Sequence, residues 1–198
     1  MSNLLIDLLE NINPIDIEKV ERVSNVSGQN NDGLMRDVMQ IFLGGLAKKN
    51  QDAKKAGEVV RVLKKDHENN LENIDNILNG TLEKGSDGIL KHILGEDKNR
   101  IVKKFSKLKN LDKEQTESFF KNTAPIFMGS LAKTVSKVNM DGNVLAQILD
   151  MAYKADLQDG KKHSLLALLD FDKDGQVSDD FSRMWGWVQK NVFKKDLL

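Results

Sequence analysis

The sequence predicts an all-α protein with two pseudo-repeat helical halves, followed by a C-terminal helix that is attached through an EF-hand-like acidic loop. Three observations predict this class. Apolar residues recur about every 3.6 positions through most of the chain, and no segment shows the alternation that is typical of a strand. The chain has only 2 prolines and 6% aromatic residues, which is unusual for an all-β protein. A long stretch of the apolar pattern also occurs twice.

The first half, residues 1–80, is predicted to contain consecutive amphipathic helices. Asn13 and Pro14 mark the start of one of them, because asparagine caps helix N-termini and proline suits the first helical position. Gly28 is predicted to end that helix. The stretch 67–80 is the weakest, with a marginal amphipathic helix. The apolar stripes are Leu4, Leu5, Leu8, Leu9 and Ile12; Ile17, Val20 and Val23; Leu34, Met35, Val38, Ile41, Phe42, Leu46 and Ala47; Val59, Val60, Val62 and Leu63; and Leu71, Ile74, Ile77 and Leu78.

The second half, residues 86–155, repeats the apolar pattern of the first. The segment 41–48, IFLGGLAK, returns as IFMGSLAK at 126–133, an offset of 85 positions (126 − 41). The same offset, without a gap, pairs Leu5 with Leu90, Leu9 with Leu94, Val20 with Phe105, Leu34 with Phe119 and Leu63 with Ile148. Such agreement predicts internal duplication. We therefore expect two pseudo-equivalent halves that pack face to face in one compact unit, with 156–198 forming the acidic loop and the last helix.

Small residues occupy the middle of a predicted helix in both halves. Gly44 and Gly45 correspond to Gly129 and Ser130 at the same offset. Because a glycine inside a helix costs about 1 kcal/mol relative to alanine, these positions need a compensating role. Close helix–helix approach is the favoured interpretation, and a groove that faces a ligand is the alternative. Pro125, in the second of these helices, is predicted to kink it or to begin it afresh.

Composition argues against several classes of function. The chain has 39% hydrophobic residues, 30 acidic and 30 basic residues, and no cysteine. A formal net charge of zero is not typical of a nucleic-acid-binding protein or of polybasic recruitment to a membrane, and the lack of cysteine rules out disulfides and thiolate chemistry. The N-terminal residues do not form a secretory signal, and no apolar run approaches the roughly 20 residues of a membrane span. We expect a cytoplasmic protein that binds neither nucleic acid nor membrane.

The segment 170–180, DFDKDGQVSDD, carries five carboxylates within eleven residues. Asp170, Asp172 and Asp174 occupy the first, third and fifth positions of an EF-hand-type calcium loop, and their side chains converge when the chain turns sharply. Gly175, at the sixth position, permits that turn, and Gln176, at the seventh, offers a backbone carbonyl. This spacing predicts a calcium site.

The end of the loop departs from the EF-hand pattern. Phe181 stands at the twelfth position, where an EF-hand has a bidentate glutamate. Asp180 is therefore preferred over Asp179 as the remaining ligand. The predicted metal ligands are Asp170, Asp172, Asp174, Gln176 and Asp180. The expected cofactor is Ca²⁺ in a structural role, because Mg²⁺ prefers octahedral sites that keep several waters. The alternative is an acidic helix-capping turn that holds no specific ion.

Three segments together resemble a bacterial family catalogued only as domain-of-unknown-function family 937. They are 88–95, GILKHILG; 124–132, APIFMGSLA; and 168–180, which contains LLD and the acidic loop. The resemblance implies an all-α protein of paired repeats that an acidic loop closes. It implies no activity.

No catalytic constellation accompanies these features. His67, His92 and His163 are scattered and do not have the spacing of a zinc site. We therefore expect no enzyme, no catalytic residues and no organic cofactor, but an interaction or scaffold protein that has a protein partner and a structural calcium loop. The first alternative is a small-molecule binder or enzyme with its site in the cleft between the halves. A second alternative is a calcium switch that exposes the helix carrying Trp185 and Trp187.

Overall fold

The computed structural model of the chain describes residues 4–26, 33–50, 53–79 and 83–158. Within these ranges the protein consists of helices and their connections, without a strand, which confirms the all-α class. The predicted acidic loop and C-terminal helix lie outside the described residues. Among the helices that are described, none combines the length and the apolar character needed to cross a membrane.

The described helices follow one another through short connections. The α-helices are α1 (Leu4–Glu10), α2 (Pro14–Val23), α3 (Leu34–Lys49), α4 (Ala53–Val62), α5 (Ile74–Leu78), α6 (Glu83–Leu94), α7 (Lys98–Lys109), α8 (Lys113–Lys137) and α9 (Gly142–Gln158). A π-helical turn, Leu63–His67, directly continues α4, and 3₁₀ turns occupy Asn70–Asn73 and Gly95–Asp97. The marginal helix predicted within 67–80 is thus replaced by two short pieces, the 3₁₀ turn Asn70–Asn73 and α5.

The start of α2 agrees with the sequence prediction, whereas its end does not. The Asn13 side chain accepts a hydrogen bond from the backbone N–H of Ile15 at 3.0 Å, and Pro14 is the first helical residue. The helix ends at Val23, so the prediction that Gly28 ends it is wrong. An asparagine, instead of a glycine, adopts the left-handed conformation that closes this helix.

The C-terminal turns of α2 and α7 have the same geometry. Asn25 and Asn110 are left-handed, with φ of 56° and 53°, a conformation that asparagine tolerates better than most residues. The residues that follow them, Val26 and Leu111, are buried. In both turns the N–H of that buried residue donates to the carbonyl five positions earlier at 2.9 Å. These two turns are 85 positions apart, the offset of the sequence repeat.

The order of the helices follows the same offset. Moved by 85 positions, α2 and α3 become 99–108 and 119–134, which fall within α7 and α8. The helix α1 contacts α8 as well as α3, and α6 contacts α3 as well as α8. The first helix of each half therefore packs on the central helix of the other half: α1 packs on α8, and α6 packs on α3. The helix α4 packs against α9.

One cluster of buried side chains joins the two halves, and α3 and α8 lie at its centre. Phe42 of α3 makes edge-on ring contacts with Phe120 and Phe127 of α8, with centroids 5.6 and 5.4 Å apart. Phe105 of α7 meets Phe120 in the same way at 5.2 Å. Edge-on aromatic pairs stabilise a core beyond the area that they bury.

The helix α8 continues through Pro125, so of the two predicted outcomes, a kink or a restart, the restart is wrong. Residues 123–132 of this helix are all buried. Asn70 donates a hydrogen bond from its side chain to the carbonyl oxygen of Pro125 at 3.0 Å. Tertiary packing on several sides therefore maintains the helix at a residue that would otherwise interrupt it.

Candidate functional site

The small residues of the repeated segments lie at close helix contacts. Gly45 and Gly129 are buried. A Cβ atom on Gly45 would lie 2.8 Å from the carbonyl oxygen of Ile93, and one on Gly129 would lie 2.8 Å from the Cβ of Asn70. These positions allow close approach of neighbouring segments, which confirms the favoured interpretation of the two glycines.

The close contacts between the helices of the two halves form a seam. Polar groups at this seam are bonded to one another. The Ser130 hydroxyl donates to the carbonyl oxygen of Leu8 at 2.5 Å. The Asn11 side chain donates to the Ser130 carbonyl at 3.3 Å and to the Thr134 hydroxyl at 2.9 Å. These bonds satisfy the polar groups where α1 crosses α8, so this contact is a packed interface.

A different surface forms a cleft between the halves. Its volume is about 590 Å³, and we call it the α2–α8 cleft. The first half contributes apolar side chains, and the second half contributes mainly polar and charged ones. The lining residues are Val23, Ile77 and Leu78, and then Ser86, Asp87, Glu114, Glu117, Ser118, Lys121 and Asn122.

The charged side of the α2–α8 cleft belongs to a network that links α6, α7 and α8. Asp87 lies 3.2 Å from Lys98 and 3.4 Å from Lys121, and Glu117 lies 3.4 Å from Lys121. Burial alone would raise the pKa of Asp87, but the hydrogen bond from Lys98 and the charge of Lys121 lower it below its usual value. Burial alone would lower the pKa of Lys121, and the charges of Asp87 and Glu117 raise it instead. A ligand in this cleft would meet charges that are already paired.

A second cleft, of about 570 Å³, lies beside the end of α6. The Lys49 ammonium donates to the carbonyl oxygens of Lys91 and His92 at 3.1 and 2.8 Å, in the last turn of α6. Burial lowers the pKa of Lys49 and of His92. Because free carbonyls at a helix C-terminus attract cations, Lys49 acts here as a helix cap.

His67 is buried at the end of the π-helical turn. Its Nδ1 lies 3.0 Å from the side-chain nitrogen of Asn70, which donates, so the ring accepts this bond in its neutral form. Burial lowers the pKa of His67, and the neighbouring charges of Asp66 and His92 act in opposite directions. In the part of the chain that the structure describes, no group of three or more histidine or carboxylate side chains could hold a metal ion.

The outer surface of α7 carries a concentration of positive charge that the sequence analysis overlooked. The segment 98–109 has six basic residues and no acidic one, a pattern that was visible in the sequence. Lys103, Lys104 and Lys107 are exposed, and Leu108 beside them is 48% exposed. We call these four residues the α7 basic face. Within the described ranges its three lysines take part in none of the ion pairs.

The predicted metal ligands all lie outside the described residues. This holds for Asp170, Asp172, Asp174, Gln176 and Asp180, and for the helix that carries the two tryptophans. The calcium site therefore stays a prediction from the sequence.

Comparison with known proteins identifies the family of the chain. A search of curated proteins and a search of solved structures gave no match. Residues 8–134 match a family described as bacterial protein of unknown function (DUF937). The match spans more than half of the 198 residues and includes both copies of the repeated helical segment. The chain therefore belongs to this bacterial family.

Proposed function

We propose that the chain is a non-enzymatic helical interaction protein of the cytoplasm whose C-terminal loop holds a structural calcium ion. The observation that carries the proposal is the alternation of Asp170, Asp172 and Asp174 before Gly175. Hard oxygen ligands in this spacing suit calcium. The Gln176 carbonyl and the Asp180 carboxylate complete the ligand set.

The packing of the helical part supports an interaction role over catalysis at the seam. Gly45 lies against the carbonyl of Ile93, and Ser130 is bonded to the carbonyl of Leu8. These two contacts leave no room for a substrate where α3 meets α6 and where α1 meets α8. Contacts with a partner protein would then be made by the outer surfaces of the helices.

Calcium in such a loop would stabilise the C-terminal region by neutralising its carboxylates. At separations of about 4–6 Å, two like charges repel by roughly 1 kcal/mol even in a water-like dielectric, and a bound cation removes this cost. Because any ligand that binds only the folded form stabilises it, calcium would also increase the stability of the protein.

Calorimetric titration of the chelator-treated full chain with CaCl₂ tests the metal site. We expect binding at micromolar affinity or tighter, no comparable heat with MgCl₂, and loss of binding in Asp172→Ala/Asp174→Ala. Absence of heat up to roughly millimolar calcium, the range of weak extracellular calcium modules, would overturn the metal assignment.

A second candidate function is binding of a small molecule between the halves, and the α2–α8 cleft favours it. Apolar side chains face Glu114 across this cleft, and Glu114 takes part in none of the ion pairs between described residues. This arrangement suits a compound with an apolar body and an amino group. Ligand-observed NMR with a panel of arylalkyl amines tests this function. Val23→Lys would place a competing cation in the cleft, and Leu108→Lys is its matched control, because both side chains are 48% exposed. Compounds that bind the unmodified chain and the control, but not Val23→Lys, would support this candidate. A panel without any binder would contradict it.

A further inference from the structure

Among the described residues, the lysines of the α7 basic face have no acidic partners of the kind that the rest of α7 has. Lys98 pairs with Asp87, Arg100 pairs with Asp97, and Lys109 pairs with Asp37. These three pairs neutralise the basic residues at the two ends of the helix. The three lysines of the α7 basic face take part in none of these pairs. Two of them, Lys103 and Lys107, are four positions apart on one helix, where like charges are destabilising.

The corresponding helix of the first half shows how such a lysine is neutralised. Lys19 of α2 precedes Lys104 of α7 by the repeat offset of 85. Lys19 lies 2.7 Å from Asp75, which belongs to α5 in the segment that follows α4. The helix that corresponds to α4 is α9, which is described as far as Gln158. By analogy, the acidic partner of Lys104 would come from the chain beyond residue 158.

We propose that the acidic segment 170–180 docks on the α7 basic face of the same chain when calcium is absent. The segment offers five carboxylates to three lysines, together with apolar side chains such as Phe171 and Val177 that can cover Leu108. The charges of the segment and of the α7 basic face are of opposite sign, which favours this contact.

The connection to α9 is long enough for this contact. The eleven residues 159–169 span up to about 36 Å when extended. A folded chain of the described length has a radius of gyration of roughly 15 Å. The acidic segment can therefore reach α7 without any displacement of the described helices. The contact requires the carboxylates but not a metal ion, so in the absence of calcium it does not depend on whether the segment can bind calcium.

Carbodiimide crosslinking of the full chain in EDTA, followed by mass spectrometry of the monomer band, tests the proposal. A zero-length crosslinker joins a lysine to a carboxylate only where the two are in contact. We expect links from Lys103, Lys104 or Lys107 to the aspartates of 170–180. Lys54, Lys133 and Lys137 are exposed lysines on α4 and α8 and serve as internal controls that should not link to this segment.

Acetylation of the lysines gives a second readout that does not depend on crosslinking chemistry. In a variant with Asp170, Asp172, Asp174, Asp179 and Asp180 replaced by asparagine, labelling of the α7 lysines should become faster, while the control lysines keep their rate. Unchanged labelling together with an absence of intramolecular links would overturn the proposal. Links that appear only in a dimer band and increase with protein concentration would assign the face to a second copy, which also contradicts it.

Discussion

The Ser130 hydroxyl of α8 donates a hydrogen bond of 2.5 Å to the carbonyl oxygen of Leu8 in α1, which lies 122 positions earlier in the sequence. The repeat offset of 85 relates this pair to Gly45 and Ile93, where a Cβ atom on the glycine would lie 2.8 Å from the carbonyl oxygen. Both halves thus bring a small residue of the central helix against a carbonyl of the other half's first helix. One contact uses a hydroxyl donor and the other uses the absence of a side chain.

Further pairs of contacts obey the same offset. The Asn122 side chain of α8 donates to the Ser24 hydroxyl at 3.0 Å, and the equivalent positions, Asp37 and Lys109, form an ion pair. The chemistry differs, but each contact joins the central helix of one half to the end of the second helix of the other. These correspondences support an origin of the chain by internal duplication.

Replacement of Ser130 by alanine is expected to lower the free energy of unfolding by about 1–2 kcal/mol, because the buried carbonyl of Leu8 would lose its donor. Urea denaturation measures this change. Ser136→Ala on the same helix is the matched control, since the Ser136 hydroxyl donates to Glu68 in an exposed contact at 3.3 Å. The control should stay within about 0.5 kcal/mol of the parent chain. An equal decrease in the free energy of unfolding of the two variants would show that the bond from Ser130 to Leu8 stabilises the fold no more than an exposed contact does.

Gly45→Ala and Gly57→Ala are expected to change stability in opposite directions. At Gly45 the new methyl group would collide with backbone, and overpacking of this kind costs about 1–3 kcal/mol, more than the gain of about 1 kcal/mol in helix propensity. At Gly57 no described atom, apart from the neighbouring residues and the helix's own backbone, lies within 4 Å of the new Cβ, so only the propensity gain remains. Thermal or urea unfolding of the two variants measures the change in stability of each relative to the parent chain. A stabilised Gly45→Ala would contradict the close contact between α3 and α6.

Stability is expected to decrease as the pH falls from about 7.5 to 5, in part because His67 is buried. Burial lowers the pKa of His67 in the folded chain, so the unfolded chain binds a proton first as the pH falls through about 6.5. The stabilising contribution of the neutral ring is complete above that pH and is lost below it. Urea denaturation across this range should show a weaker pH dependence for His67→Gln than for the parent.

His92→Gln provides the comparison for His67→Gln. His92 also has a pKa that burial lowers, but its side chain is exposed enough to gain a proton at less cost. We therefore expect a smaller change in pH dependence from this variant. An unchanged pH profile in His67→Gln would show that the buried ring does not contribute.

Local sequence patterns predicted the features of the fold that depend on neighbouring residues. Asn13 and Pro14 define a helix start because capping involves only the first turn. The repeated small residues predict close contacts between helices from the sequence alone, because glycine inside a helix needs a compensating role. Gly45 and Gly129 have that role.

Features that depend on distant residues were mispredicted or missed. Pro125 does not restart α8, since residues 123–132 are buried in a core that supports the helix there. Val23 belongs to the apolar stripe of α2 in sequence, yet it is 48% exposed, because it lies at the edge of the α2–α8 cleft. The burial of His67 was missed, because the π-helical turn directs the ring inward, although its hydrogen bond to Asn70 is local. Neither a cleft nor a turn of this kind has a signature in a single sequence.

Unfolding of the full chain with and without calcium tests most directly whether the acidic loop holds a structural ion. In urea denaturation, calcium at about 100 times its dissociation constant should raise the free energy of unfolding by about 2.7 kcal/mol relative to EDTA. Asp172→Ala/Asp174→Ala should show no difference between the two conditions. If calorimetry detects calcium binding but the unfolding transition of the parent chain is the same in calcium and in EDTA, the ion has no structural role and the proposal is contradicted.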